Sequence, residues 1–195
     1  QEISSGTSFI EGRVAYVAKR RGALVVIGDT HGDARSTEMT LERCGFIRRV
    51  EGGEDIHVVF LGDYIDEGMD NLRNLEIIVG LKKRYPQNVT LIPGNHDFIE
   101  EMIDDIALDH YQKINYLVDE LQESSLGIRR RFVESYRRFI QRLPVIIVLP
   151  NGMVLAHSGV PSLAMAGNEN RCLHGLISMS SNEPLVWQSE HSAVR

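Results

Sequence analysis

The sequence predicts an α/β fold that begins with a largely parallel sheet and continues with antiparallel strands. Three short, mainly apolar runs, at residues 23–27, 58–61 and 89–92, are separated by two stretches with helical periodicity. Strands that alternate with helices are typical of βαβ units, in which the strands run parallel. Farther along, two apolar runs flank an Asn-Gly pair at residues 151–152, which favours a tight turn between antiparallel strands.

The chain has the length and composition of one globular domain. It contains 195 residues, of which 43% are hydrophobic and 25% charged, and this is enough apolar material for a core. We expect residues 1–22 to form an N-terminal arm, in which residues 14–18 make an edge strand or a helix. Residues 23–195 are expected to form the main domain.

Two helices are predicted between the parallel strands. The first covers residues 35–44, with Ser36 or Thr37 near its N-cap and Gly45 as its end. The second covers residues 69–85, where apolar residues recur at helical spacing before a proline.

A longer helical segment is predicted at about residues 98–142. Gly127 is expected to separate two helices within it. The run Arg129–Arg131 is either a solvated helix start or a phosphate-binding patch. His110 is expected to be a surface or packed residue and not a ligand.

The charge and the hydropathy exclude some classes of function. The net charge of −6 argues against general binding of nucleic acids, which requires a basic face, but bound cations can still attract a phosphorylated substrate. No apolar run reaches the roughly 20 residues of a membrane span, and no signal-peptide core is present. We therefore expect a cytoplasmic protein without membrane contacts. Cys44 and Cys172 lack the spacing of a disulfide framework or a metal site, so ordinary thiols are expected.

Side chains with metal-binding atoms follow the ends of four predicted strands. The carboxyl ends of parallel strands meet at one edge of a sheet, where sites are commonly built. Carboxylate, amide and imidazole groups suit divalent transition metals, and in a two-metal site one carboxylate bridges cations about 3.5–4 Å apart. The candidate ligands are Asp29, His31, Asp63, Asn95 and His157.

Three motifs carry a resemblance to a known family. Residues 28–32 (GDTHG), 62–66 (GDYID) and 94–97 (GNHD) are similar, in order and spacing, to the GDxHG, GDxxDRG and GNH(E/D) signatures of the calcineurin-like metallophosphoesterases. Within that superfamily the chain most resembles the Ser/Thr phosphoprotein phosphatases (PPP family) and then their relatives, the diadenosine tetraphosphatases. The resemblance implies a four-layer αββα sandwich of mixed sheets, incomplete at the C-terminus, in which residues 23–195 are the catalytic domain and about 98–142 a helical insert.

The resemblance also implies two divalent metal ions, with manganese expected and iron or zinc as alternatives. By carry-over from the family motifs, Asp29, His31 and Asp63 would hold one ion. Asp63, Asn95 and His157 would hold the other, so that Asp63 bridges the two.

A catalytic pair is implied in the same way. His96 resembles the family's catalytic histidine, which protonates the departing alkoxide. Asp66 would orient His96 and keep it cationic.

Glu67 departs from the family pattern, which has an arginine at this place. A carboxylate cannot neutralise a phosphate, so either another cation substitutes or the substrate differs. The candidate substitutes are Arg35, Arg73, Arg171 and Arg195.

The family has a further metal-binding histidine well beyond the last motif. His174 and His191 are the remaining histidines, and neither follows an apolar strand run, so neither is expected to be a ligand. The chain is therefore expected to be a fragment, or a shortened relative, of a longer phosphatase. A dimer or a partner chain would then cover its C-terminal edge; alternatively, the second metal is weakly held.

Three functions follow from these features. The first is a phosphatase that hydrolyses phosphoserine and phosphothreonine in proteins by direct attack of a hydroxide held by the metals. The second is hydrolysis of a dinucleoside polyphosphate or another small phosphorylated substrate, which Asp97 favours, whereas Asp66 favours a protein phosphatase. The third is a non-catalytic, metal-binding scaffold, supported by Glu67 and the missing histidine but opposed by the intact set of ligands.

Overall fold

A computed structural model describes residues 8–18, 22–99, 116–122 and 124–158. Within these residues the chain forms a three-stranded sheet, a four-stranded sheet and five α-helices. The three-stranded sheet contains β3 (Ala23–Ile27), β4 (Ile56–Phe60) and β5 (Val89–Leu91), in that order and all parallel. The parallel start predicted from the sequence is therefore confirmed.

The first helices connect these strands. α1 (Ala34–Arg43) and α2 (Phe46–Glu51) lie between β3 and β4, and α3 (Asn71–Arg84) leads to β5. The predicted N-cap of α1 was wrong: Asp33 occupies it and accepts a hydrogen bond of 2.9 Å from the Ser36 main-chain N–H. The first main-chain N–H groups of a helix have no partner within it. A carboxylate accepts hydrogen bonds from them strongly, which favours Asp33 at the N-cap. Gly45, with φ +64°, ends the helix as predicted.

The helical insert supplies α4 (Tyr116–Gln122) and α5 (Leu126–Ile140). Gly127 does not separate the two helices; it lies in the first turn of α5, which begins after the extended residue Ser125. Arg130 and Arg131 are exposed near the start of α5, which favours the solvated helix start over a phosphate patch. None of the described helices is both long enough and apolar enough to cross a lipid bilayer.

The four-stranded sheet is mixed. Its order is β1 (Phe9–Glu11), β2 (Val14–Tyr16), β6 (Ile146–Val148) and β7 (Val154–Leu155), and only the β2–β6 pair is parallel. The predicted hairpin is confirmed, since β6 pairs antiparallel with β7 across the Asn-Gly turn.

The segment expected as an N-terminal arm contributes two strands of this mixed sheet. β2 is not an edge strand, because it lies between β1 and β6. Val14 and Ala15 are buried, so burial of apolar side chains against β6 holds this part of the chain in place.

Two clusters of buried side chains divide the described part of the chain into layers. The larger cluster packs one face of the parallel sheet against all five helices and includes Phe60, Leu75 and Val133. The smaller cluster lies between the sheets and joins Val59 of β4 to Ile147 of β6. Alternate residues of β4 thus face the helices and the second sheet, as expected for a doubly buried strand. The described residues form three layers: helices, parallel sheet and mixed sheet.

Candidate metal centre

The candidate side chains lie on loops at the carboxyl ends of strands. Asp29 and His31 follow β3, Asp63 follows β4, and Asn95 lies in a 3₁₀ turn (Asn95–Asp97) after β5. His157 follows β7 of the mixed sheet. The parallel strands end at one edge, so their loops meet there. The packing of the mixed sheet against the parallel sheet brings His157 to these loops.

Main-chain hydrogen bonds hold the first two loops together. The N–H groups of Thr30 and His31 donate to the Asp63 carbonyl at 3.1 and 2.8 Å, and Gly32 donates to the Tyr64 carbonyl at 3.0 Å. The backbone of the site is strained, because four of its non-glycine residues have left-handed φ angles, and these hydrogen bonds hold it in that conformation. The four residues are His31 (+41°), Asp63 (+52°), Asp66 (+81°) and Glu67 (+60°).

The second and third loops touch through two glycines. Gly62 has φ +100°, and a Cβ built on it would lie 2.1 Å from the main-chain nitrogen of Gly94. A Cβ on Gly94 would in turn lie 2.0 Å from Oδ1 of Asp63. Both motif glycines are therefore required by the close approach of the two loops.

Asp97 joins the same two loops with its buried carboxylate. Its oxygens accept hydrogen bonds of 2.8 Å from the main-chain N–H groups of Asp63, Tyr64 and Gly94, and from the hydroxyl of Tyr136. Burial raises the pKa of Asp97 to about 6, although these hydrogen bonds lower it in part. Through these four hydrogen bonds the buried carboxylate of Asp97 holds the two loops in their positions.

Asp63 presents one carboxylate oxygen to two imidazoles. Its Oδ2 lies 3.3 Å from Nε2 of His157 and 3.7 Å from Nε2 of His31. Its Oδ1 accepts a hydrogen bond of 2.9 Å from the main-chain N–H of His96. That bond fixes the orientation of the Asp63 carboxylate, so that Oδ2 lies between the imidazole rings of His31 and His157.

The other candidate ligands surround this oxygen. Nε2 of His157 lies 3.0 Å from Oδ1 of Asn95, and Nδ1 of His157 lies 3.6 Å from Oδ1 of Asp29. Nε2 of His31 lies 3.9 Å from Oδ2 of Asp29. Asp29, His31 and Asp63 offer ligand atoms within 4.8 Å of one another.

The ring nitrogens are oriented for metal binding. Nδ1 of His157 lies 2.8 Å from the Leu61 carbonyl, and Nδ1 of His31 lies 3.3 Å from the Ile65 carbonyl. When Nδ1 carries the proton and donates it to these carbonyls, Nε2 offers its lone pair towards the carboxylates. Two ligands of one ion, with bonds of about 2.0–2.2 Å, lie about 3–3.5 Å apart. The distances from Nε2 of His157 to Asn95 and Asp63, 3.0 and 3.3 Å, lie in this range, and those from Nε2 of His31 to Asp63 and Asp29, 3.7 and 3.9 Å, are slightly longer. The donor types therefore fit divalent metal ions, and the set around His31 would close slightly on binding one.

His96 and Asp66 form the predicted pair. Nδ1 of His96 lies 2.9 Å from Oδ2 of Asp66, which is buried, while His96 is half-buried. Burial lowers the pKa of His96, but the hydrogen bond to Asp66 and the charges of nearby carboxylates raise it more, so the net pKa is raised. The raised pKa favours the cationic, proton-donating form of the ring.

Glu67 lies at the site. Glu67, His31 and His96 offer ligand atoms within 4.8 Å of one another, and Glu67 is exposed. Its negative charge therefore stands beside the candidate proton donor.

Two of the four arginines proposed as substitutes for the missing one, Arg35 and Arg73, lie among the described residues. Arg73 makes ion pairs with Glu38 at 2.9 Å and with Glu76 at 2.7 Å on the helix surface. Arg35 is exposed in the first turn of α1. Several sequence candidates lie outside the described residues: His110, Arg171, Cys172, His174, His191 and Arg195.

Several residues that hold the site were not identified from the sequence. Asn74 donates to the Thr30 hydroxyl at 2.9 Å and to the Tyr64 carbonyl at 2.7 Å. An asparagine pair at positions i and i+3 on an otherwise apolar helix face, here Asn71 and Asn74, is a signal for such buried contacts. No local signal marks Glu120 or Tyr136, which reach the site loops from the helical insert.

Comparisons with known proteins relate the chain to phosphoesterases. The sequence model of the family described as calcineurin-like phosphoesterase matches residues 23–189. A protein of Encephalitozoon cuniculi named "Probable serine/threonine-protein phosphatase" is 27% identical over 144 residues, covering 72% of this chain and 27% of that protein. "Serine/threonine-protein phosphatase PP1-1" of Saccharomyces cerevisiae is 38% identical over 76 residues, covering 38% of this chain and 22% of that protein.

A solved structure has the same fold class. It is a Saccharomyces cerevisiae protein serine/threonine phosphatase with similarity to human phosphatase PP5, with a TM-score of 0.52 at 22% identity. The match covers 71% of this chain and 38% of that one. The chain spans about a quarter of the length of the curated relatives it matches.

Proposed function

Because this chain belongs to the calcineurin-like phosphoesterase family, we propose that it is a dinuclear metal-dependent phosphatase that hydrolyses phosphoserine and phosphothreonine monoesters in proteins. The observation that carries the proposal is the position of Asp63, whose Oδ2 lies between Nε2 of His31 and Nε2 of His157. A carboxylate oxygen placed in this way is suited to bridge two cations. The names of the phosphatase relatives support the choice of substrate class.

The ligands divide into two sets that share Asp63. Asp29, His31 and Asp63 would hold one ion, and Asp63, Asn95 and His157 the other. The mixture of oxygen and imidazole ligands suits manganese, iron or zinc, of which we propose manganese. When bound, such ions polarise phosphoryl oxygens and lower the pKa of a water molecule.

The chain itself supplies the proton for the leaving group. In the cationic form His96 donates from Nε2 to the departing alkoxide oxygen, while Nδ1 donates to Oδ2 of Asp66, 2.9 Å away. That hydrogen bond keeps the ring in one orientation. The main-chain N–H of His96 meanwhile holds Oδ1 of Asp63, so the residue that moves the proton also positions the bridging carboxylate.

A small phosphorylated substrate, such as a dinucleoside polyphosphate, is the second candidate. Glu67 favours it, because a carboxylate beside His96 repels the dianion of a phosphomonoester more than an internal phosphate of a polyphosphate, which carries a single negative charge. Asp97, which favoured this candidate in the sequence, is buried and bonded to the chain, so it does not discriminate by contact. A non-catalytic scaffold is disfavoured by the assembled set of ligands.

A substrate panel tests the proposal. Phosphoserine peptides, diadenosine tetraphosphate and p-nitrophenyl phosphate would be assayed with manganese and with a chelator, using Asp63→Asn as the inactive control. We expect manganese-dependent release of phosphate from the peptides. Preference for diadenosine tetraphosphate would support the second candidate. Absence of turnover on all three, with two bound metals, would favour the scaffold.

A further inference from the structure

Glu120 of α4 caps a helix that lies far from it in the sequence. The main-chain N–H of Asn71 donates to Oε1 of Glu120 at 2.6 Å, and that of Leu72 donates to Oε2 at 2.9 Å. Asp70 occupies the N-cap position of α3 but makes no side-chain capping bond. The carboxylate of Glu120 therefore accepts hydrogen bonds from two main-chain N–H groups that have no partner within α3. Its negative charge also stabilises the positive end of the α3 dipole.

The same carboxylate sets the orientation of the Asn71 side chain. Nδ2 of Asn71, which is fully buried, donates to Oε1 of Glu120 at 2.8 Å and to the Gly68 carbonyl at 2.8 Å. An ionised carboxylate and a carbonyl oxygen only accept hydrogen bonds, so the NH₂ group must face Glu120 and Gly68. Oδ1 of Asn71 must then face the opposite way, where it accepts from the main-chain N–H of Asp66 at 2.7 Å.

Asp66 needs this support. Its φ of +81° lies in the left-handed region, which is unfavourable for a non-glycine residue and persists only when neighbouring contacts hold it. From this conformation its Oδ2 reaches Nδ1 of His96. A turned amide at Asn71 would present NH₂ to the N–H of Asp66, so the contact would become repulsive.

We propose that Glu120 is a positioning residue: through Asn71 it holds Asp66 in the conformation from which Asp66 orients His96. This inference rests on the proposed function in that His96 is the proton donor of the reaction. Glu120 acts through these hydrogen bonds and does not contact the candidate metal ligands in any described interaction. Its loss should therefore affect proton donation more than metal binding.

The dependence on the leaving group separates this role from a general structural one. A serine alkoxide needs a proton as it departs, whereas p-nitrophenolate is a much better leaving group. In the manganese-loaded protein, Glu120→Gln should lower kcat for a phosphoserine peptide by about 10- to 100-fold, the scale of a misplaced catalytic group. The loss with p-nitrophenyl phosphate should be clearly smaller, with KM and metal content unchanged.

A matched control sharpens the test. Asp119→Asn changes the exposed neighbouring residue of α4 and should leave kcat for both substrates unchanged.

A spectroscopic measurement keeps this inference separate from the proposed function. In metal-free protein, the ¹H–¹⁵N signal of Nδ1–H in His96 should shift in Glu120→Gln and not in Asp119→Asn, because the hydrogen bond to Asp66 changes. A shift without any phosphatase activity in the wild type would refute the proposed function and leave the positioning intact. Equal losses with both substrates, a loss of metal, or an unshifted signal would overturn the role of Glu120.

Discussion

The hydroxyl of Tyr136 donates a hydrogen bond of 2.8 Å to Oδ1 of Asp97, and both side chains are buried. Tyr136 lies on α5 of the helical insert, whereas Asp97 follows β5 and binds the main chain of the Asp63 loop. One hydrogen bond thus fastens the insert to two loops of the candidate metal centre. Burial of Asp97 raises its pKa to about 6, and the Tyr136 hydroxyl works against that rise.

Tyr136→Phe should therefore raise the pKa of Asp97 above about 6. The charged carboxylate loses a donor while its burial stays the same, and the free energy of unfolding should fall by about 1 kcal/mol. Carboxyl ¹³C NMR titration and urea unfolding measure the two effects. Tyr116→Phe, which changes an exposed tyrosine, is the matched control. An unchanged Asp97 pKa would mean that the hydroxyl does not stabilise the charge.

Asp97 should also make stability depend on pH. Its folded pKa of about 6 exceeds the ordinary 3.8, so the folded state binds the proton more tightly than the unfolded state. The contribution of Asp97 to the free energy of unfolding is fully present below the unfolded pKa and is lost as pH rises through the folded pKa. The loss between pH 4 and 6 amounts to at most about 3 kcal/mol.

Urea unfolding of metal-free wild type and of Asp97→Asn, at several pH values, measures this contribution. The wild type should lose stability relative to the variant between pH 4 and 6 and run parallel to it above pH 7. A constant difference over the whole range would contradict the raised pKa.

Asp63→Asn should reduce both metal content and turnover. Oδ2 of Asp63 faces both His31 and His157, and an amide in its place lacks the charge that a bridging ligand supplies. Metal analysis after dialysis against manganese, together with turnover of a phosphoserine peptide, tests the bridge. Retention of two metals per chain at the wild-type rate would remove Asp63 from this role.

His96→Asn should lower turnover while metal content stays at the wild-type level. General acid catalysis contributes about 10²–10⁴-fold, so we expect a loss of this size on substrates with poor leaving groups. The main-chain N–H that holds Oδ1 of Asp63 is retained in the variant, which preserves the ligand arrangement. If metal is lost, His96 is a ligand and not the proton donor.

Glu67→Arg should lower KM for a simple phosphomonoester in the manganese-loaded protein. The change replaces a repulsive charge near His96 with a planar group that can bind phosphate oxygens in pairs. Glu67→Gln, which removes only the charge, should give an intermediate KM. A KM that is unchanged or higher, with folding and metal content intact, would mean that Glu67 faces away from the substrate or holds a cationic part of it.

The local pattern of the sequence was sufficient for the parallel sheet, for helices α1 and α3 and for the hairpin, whereas the short helix α2 was not predicted. Apolar periodicity sets which residues can be buried along a strand or a helix, and this information lies within a few neighbouring positions. The same holds for the grouping of Asp29, Asp63 and Asn95, because parallel strands deliver their carboxyl ends to one edge whatever the details of packing.

Contacts between distant parts of the chain hold these groups in place. β2 pairs with β6 across about 130 residues, and Glu120 caps α3 from a distance of 48 or 49 positions in the chain. Asp97 reaches the main chain of Asp63 over 34 positions. Such contacts depend on which surfaces meet when the chain closes, and residue periodicity carries no information about that. Local residue patterns therefore indicate which chemical groups gather at the edge of the parallel sheet, whereas long-range packing sets which oxygen or nitrogen of each group faces its neighbour.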